Sequence, residues 1–133
     1  MKQCWNSGDQ LHHRIVVKQG DLAVFESGAV HELYSTFALA RDAEWSGRLF
    51  VLDMKDDDEE GIGTRLDITH VSPALLGSIV DFVATYDSIT EKGEIITRFE
   101  ARVGERLIAK GVQGQRILKR EKIDVIFRQL ESL

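Results

Sequence analysis

Cysteine and proline each occur once in this chain, as Cys4 and Pro73. A single thiol excludes an internal disulfide framework and a multi-cysteine zinc site, and it points to a reducing, cytoplasmic compartment. With one proline and no repeat or low-complexity run, nothing reads as a linker. Residues 1–133 are therefore expected to form a single domain, since one core normally serves about 100–200 residues. No stretch approaches the roughly 18 uninterrupted apolar residues of a membrane-spanning helix. The opening Met1 to Gly8 has no apolar signal-peptide core, so neither a membrane nor export is expected. Positive charge is not in excess either: 17 basic residues stand against 22 acidic ones, for a net charge of −5. That balance argues against a nucleic-acid partner, whose phosphates call for a basic face.

What is present is the composition of a folded globule, 43% hydrophobic with 29% charged residues that nearly balance. Leu11 to Val24, rich in β-branched residues, reads as an extended strand with a turn at Gln19-Gly20-Asp21. From Gly28 to about Trp45 the spacing of Val30, Leu33, Tyr34, Phe37, Ala40 and Trp45 predicts a long helix. Leu49 to Leu52 reads as a short buried strand, followed by the acidic run Asp56 to Glu60. Ile62, Thr64, Leu66, Ile68 and His70 alternate along one strand face. A second alternation, Val80, Phe82, Ala84 and Tyr86, ends at a turn over Thr90 to Gly93. Ile95 to Val103 and Leu107 to Leu118 follow as strands, and Glu121 to Leu133 returns to helical spacing. The order implies an α+β fold in which an antiparallel sheet curls around one long central helix, with a C-terminal helix added. Uncovered sheet edges point to a homo-oligomer, a dimer or a tetramer.

Phe25-Glu26-Ser27-Gly28 ahead of the helix, Gly61-Ile62-Gly63-Thr64 opening a strand that ends Ile68-Thr69-His70, and Pro73 followed by Gly77 resemble the hotdog-fold thioesterases. The resemblance is nearest to the branch typified by fluoroacetyl-CoA thioesterase and runs from about Leu11 to Ile123. It implies a homodimer with acyl-CoA sites at the subunit interface, thioester hydrolysis, coenzyme A as part of the substrate, and no separate cofactor or metal. The catalytic set it implies is a Thr or Ser before the helix, a Glu eight residues later, and a His at the end of the Gly-x-Gly-Thr strand. Ser27 matches the hydroxyl and His70 the histidine. The Glu position falls on Ser35, and Glu32 lies one helical turn before it. A late basic residue falls near Gln115, where Arg116 carries the charge.

Read from the residues alone, His70 is an ionisable ring on an apolar strand face beside a Pro-containing break, suited to proton transfer. A core histidine satisfied by a carbonyl is the plainer alternative. Ser27 at a helix start is an N-cap by the ordinary reading, and the same positive helix end suits a developing oxyanion. Glu32 is an acid or base candidate if buried and a solvated helix residue if not. Gly61 and Gly63 with Thr64 permit close backbone approach to a thioester or pantetheine arm, or simply follow a turn. Tyr34, with Phe37 and Phe82, would set the depth of an acyl pocket. Arg98, Lys110, Arg116, Lys119 and Arg120 are the available attractors for an anionic coenzyme. The acidic run lacks calcium-loop spacing, and His12 and His13 point to opposite strand faces, so no metal is expected. Two functions follow: hydrolysis of a small or medium acyl-CoA, or non-catalytic acyl-CoA binding in a chain that has Ser35 where the carboxylate belongs.

Overall fold

The structure, a computed structural model, describes residues 1–133 apart from the side chains of Ala29 and Val30. Strand β1 (Gln10–Val16) leads through one 3-10 turn to a hairpin of β2 (Leu22–Phe25) and β3 (Gly28–Tyr34). Helix α1 (Thr36–Met54) follows, then β4 (Glu59–His70), β5 (Ile79–Ile89), β6 (Glu94–Val103), β7 (Arg106–Lys119) and helix α2 (Arg120–Glu131). The main sheet has the order β1-β5-β6-β7-β4, and every pairing in it is antiparallel. The antiparallel sheet, central helix and C-terminal helix expected from the sequence are all present.

Two elements differ from the sequence expectation. Gly28 to Tyr34 is a strand, not the start of the helix. Phe25 pairs with Gly28 across a two-residue turn, and Gly28 takes a φ of 107° that favours glycine. The apolar spacing read there as helical belongs to a hairpin, and Val30, counted in that stripe, has a side chain outside the described residues. Leu49 to Leu52 lies within α1, because the buried series Leu39, Ala43, Ser46, Phe50 and Met54 keeps a helical period to the end. Leu11 to Val24 is extended on both sides of the expected turn at Gln19–Asp21, which separates β1 from β2.

Helix α1 starts where it does because Ser35 caps it. The Ser35 side chain accepts a hydrogen bond from the Ala38 backbone N–H at 3.0 Å, which satisfies a donor that has no partner in the helix. The Ser35 backbone N–H donates to the Asp21 carbonyl at 2.9 Å, tying the helix start to the 3-10 turn. A buried polar network reinforces this point. Arg41 donates to Asp21 at 2.9 Å and to Asp42 at 3.0 Å, and the Tyr34 hydroxyl donates to Asp42. Burial and the Asp42 carboxylate hold the Tyr34 hydroxyl well above its ordinary value. Burial would raise the Asp21 carboxyl, yet the Arg41 hydrogen bond and the Lys18 N–H outweigh it and hold it below the ordinary range.

Along its length α1 buries Leu39, Ala43, Phe50, Val51 and Met54 against the sheet residues Phe82, Ala84, Tyr86, Ile95, Phe99 and Ile108. Trp5 closes one end edge-on to Phe50, with ring centres 4.9 Å apart. The acidic run joins α1 to β4, and it is tied down rather than free: the terminal ammonium contacts Asp56 at 2.6 Å and Glu59 at 2.8 Å, and Lys119 contacts Asp58 at 2.8 Å. Edge strand β4 leaves Ile62 and Leu66 exposed along its open side. Among the described residues, no helix is long and apolar enough to cross a membrane.

Two stability outcomes follow. A side chain at Gly111 would overlap the Asp67 backbone carbonyl, whereas Gly20 faces open space. Gly111→Ala should therefore cost at least about 2 kcal/mol in urea unfolding, and Gly20→Ala should stay within about 0.5 kcal/mol. Because the Asp21 carboxyl is held low, its stabilisation is present above the unfolded value near about 3.9 and is lost as pH falls through the folded one. The stability gap between wild type and Arg41→Met should accordingly be wide at neutral pH and narrow at about pH 3; an equal gap at both would contradict the ion-pair account.

Candidate functional site

The cap at Ser35 makes Thr36 the first residue of α1, and its side chain emerges beside the end of β4. There Thr36 Oγ1 lies 3.2 Å from His70 Nδ1. His70 is half-buried, and its other ring nitrogen, Nε2, is buried with no hydrogen-bond partner. A buried imidazole nitrogen left unpaired costs free energy unless something else occupies it. The hydroxyl and the positive end of a helix dipole meet at the Nδ1 side of the ring, an arrangement suited to holding a carbonyl on which negative charge develops, while the buried Nε2 faces the other side of the imidazole.

Counting eight residues on from Thr36 along α1 leads to Glu44. That separation is a little over two helical turns, roughly 12 Å along the axis. Glu44 is exposed, and its carboxylate rests against Gly63: a Cβ added there would overlap Glu44 Oε1. Gly61 is similar. Its carbonyl accepts from Arg48 at 3.0 Å, and a Cβ there would press into Val51. The two glycines of the Gly-Ile-Gly-Thr stretch thus let the strand pass close under α1, and one of them makes room for a carboxylate. Glu44 also lines an open cavity of about 450 Å³ with Arg41, Asp42, Trp45 and Arg48.

The residues picked from the sequence fall in different places. His70 sits at the hydroxyl contact. Ser27 lies in the exposed β2–β3 turn, away from the helix start that motivated it. Glu32 is an exposed residue of β3 whose carbonyl accepts from Leu76 N–H, not a helix residue one turn before Ser35. Ser35 is buried and its hydroxyl is spent on the cap. Tyr34 is buried with its hydroxyl on Asp42, so it braces the helix start from behind. Thr64 donates to Glu94 at 2.5 Å. With Arg116, Thr90, Glu91, Lys92 and Glu94 it borders a second open cavity, of about 580 Å³.

Thr36, Glu44 and the buried amides of Gln113 and Gln115 were not picked from the sequence. The signal for the first two was there. Ser35-Thr36 is a good cap pair, and starting the helix at that point puts the Glu spacing on Glu44. No cluster of His, Cys, Asp and Glu able to hold a metal occurs among the described residues.

Comparison with known proteins gives the family and the fold. The sequence profile of the FlK family, described as fluoroacetyl-CoA-specific thioesterase, matches residues 17–121. A Thermus thermophilus protein, TTHA0967, described as a thioesterase superfamily member, is 30% identical with a TM-score of 0.90, covering 96% of this chain and 93% of its own. The fluoroacetyl-CoA thioesterase FlK itself is 20% identical with a TM-score of 0.85, covering 94% and 96%. A hot-dog-like protein from Thermanaerovibrio acidaminovorans is 19% identical with a TM-score of 0.85, covering 92% and 90%. No curated protein sequence matches. With a profile match over most of its length and a relative of the same superfamily aligned nearly end to end, the chain belongs to the FlK family of hotdog-fold thioesterases.

Proposed function

We propose that the protein hydrolyses a small or medium acyl-CoA at a site between two copies of the chain, and that Thr36, His70 and Glu44 carry the chemistry. The observation that supports this reading most is the Thr36–His70 contact, with the second ring nitrogen buried and unpaired. Solved structures of FlK hold fluoroacetate with CoA in one case and acetyl-CoA in another, which favours an acyl-CoA here too. Arg116 and Lys92, on the cavity they share with Glu91 and Glu94, offer positive charge to the coenzyme's phosphates.

In the proposed reaction the thioester carbonyl sits against the Thr36 hydroxyl at the helix N-terminus. Glu44 takes a proton from water as the water oxygen bonds to the carbonyl carbon. The C–S bond then breaks, and the proton that Glu44 took passes by way of His70 to the thiolate, which leaves both residues as they began and gives a carboxylic acid and coenzyme A. Within one chain the Thr36–His70 contact lies at the end of β4 and the Glu44–Gly63 contact lies seven residues before it on the same strand. An antiparallel twofold pairing of the open β4 edge, centred near Leu66 midway between Gly63 and His70, would set Glu44 of one copy beside His70 of the other. Exposed Ile62 and Leu66 on that edge favour such cover.

The non-catalytic alternative drew on Ser35 standing at the carboxylate position. Since Ser35 is the helix cap, Glu44 now supplies the carboxylate, and hydrolysis is the better supported reading.

A panel of acyl-CoAs with thiol detection tests it. Free thiol should appear, and His70→Ala should lower the rate at least about tenfold, or about 1.4 kcal/mol in barrier. Mixing Glu44→Gln and His70→Ala proteins, each with only a small residual activity, and letting subunits exchange should restore about a quarter of wild-type activity, because half of the dimers would hold one intact site. No thiol from any substrate would refute hydrolysis, and no recovery on mixing would refute the shared site.

A further inference from the structure

Strand β7 carries two primary amides in the interior, Gln113 and Gln115, at 1% and 2% exposure. Gln113 Nε2 donates to the backbone carbonyls of Ala43 and Glu44, each at 3.1 Å. Gln115 Nε2 donates to Gln113 Oε1 at 2.8 Å and to the Glu44 carbonyl at 3.4 Å. Neither amide can be turned over, because backbone carbonyls only accept. Gln115 Oε1 is left buried with no partner. Helix α1 has a gap to receive them: a Cβ at Gly47 would overlap Gln113 Nε2 and also crowd the buried Thr97 hydroxyl.

This is an expensive way to fill a core. A leucine or methionine would occupy the same volume without desolvating an amide, and without an orphaned oxygen. The Ala43 and Glu44 carbonyls already serve the helix, so the amides add little to helix formation itself. What they add is a fixed attachment between one turn of α1 and one point of the sheet. That point matters, since Gln115 pairs with Gly63 in the β4–β7 register, and Gly63 is where the Glu44 carboxylate rests. The backbone of Glu44 and the strand under its side chain are thereby held by the same stretch of β7.

We propose that Gln113 and Gln115 are positioning residues for Glu44, setting the turn of α1 that presents its carboxylate over Gly63. The proposal rests on the reading in which Glu44 works in the site. It separates from simple core packing because its effect passes through one carboxylate.

The test combines kinetics with NMR. Gln113→Met should lower kcat about tenfold with KM within about twofold, and the Glu44 Cδ resonance should move while those of Glu91 and Glu121 stay in place. In a Glu44→Gln background the same Gln113→Met change should cost nothing more in kcat. A loss that multiplies with Glu44→Gln, or an unmoved Glu44 resonance in a folded variant, would overturn the proposal. If wild type releases no thiol, the hydrolytic reading fails by itself, and the Glu44 resonance still decides the positioning role. If Gln113→Met does not fold, wild-type protein gives the answer. Slow exchange of both side-chain amides with couplings to the Ala43 and Glu44 carbonyls would support the anchor, and fast-exchanging amides without couplings would overturn it.

Discussion

The start of helix α1 is the constraint on which the site depends. Ser35 closes the first turn with its hydroxyl, and its backbone N–H is held by the Asp21 carbonyl. Behind it, Asp21, Arg41, Asp42 and Tyr34 form a connected set of charge-assisted hydrogen bonds at the edge of the core. A helix end that frayed by one turn would carry Thr36 away from His70. The network resists this where packing is weakest, because Thr36 and Phe37 are themselves exposed and bury little. Breaking a buried member would strand an unpaired carboxylate, a larger cost than the mean worth of a hydrogen bond.

The rest of the helix is held differently. Its middle is locked by volume, with Leu39, Ala43, Phe50 and Met54 against the sheet, and by places where glycine removes a side chain so that two elements can meet. Gly47 admits the Gln113 amide, and Gly63 admits the Glu44 carboxylate. Stability and chemistry use the same clearances, so residues that look like packing details govern where the acid group sits. Open strand β4 then carries both ends of the arrangement, Gly63 near its beginning and His70 at its end, and a twofold partner is the economical way to bring them together.

Much of the fold was legible in the sequence. The alternation is regular along β5 to Tyr86 and along β6 from Thr97 to Ala101, and those strands appear with the inward residues Val80, Phe82, Ala84, Tyr86, Ile95 and Phe99 buried as read. The place of His70 at the end of β4 was also legible, because an ionisable residue closing an apolar strand ahead of Pro73 is unusual. The helix start was not. Leu33, Tyr34 and Phe37 happen to fit a helical spacing across a boundary, and the hairpin that contains the first two is set by Gly28 and by pairing with β2, which local periodicity does not record. With the helix start read eight residues early, the hydroxyl was read at Ser27 and the carboxylate position at Ser35, each nine residues before Thr36 and Glu44 of the proposed site. The buried glutamines were invisible for another reason: an amide in a strand reads as solvent-facing until its partner carbonyls, about seventy residues away in sequence, are known.

The central claim is that one thioester carbonyl is held between Thr36 and His70 while a carboxylate from α1 stands over the attacking water. The most direct measurement is a crystal structure with a non-hydrolysable acyl-CoA analogue. The account predicts two copies joined through β4, the carbonyl oxygen within hydrogen-bond distance of Thr36 Oγ1, and Glu44 of the other copy facing the carbonyl carbon. An acyl group bound elsewhere, for example in the groove on the outer sheet face between Arg98 and Lys110, with the Thr36–His70 pair untouched, would contradict it.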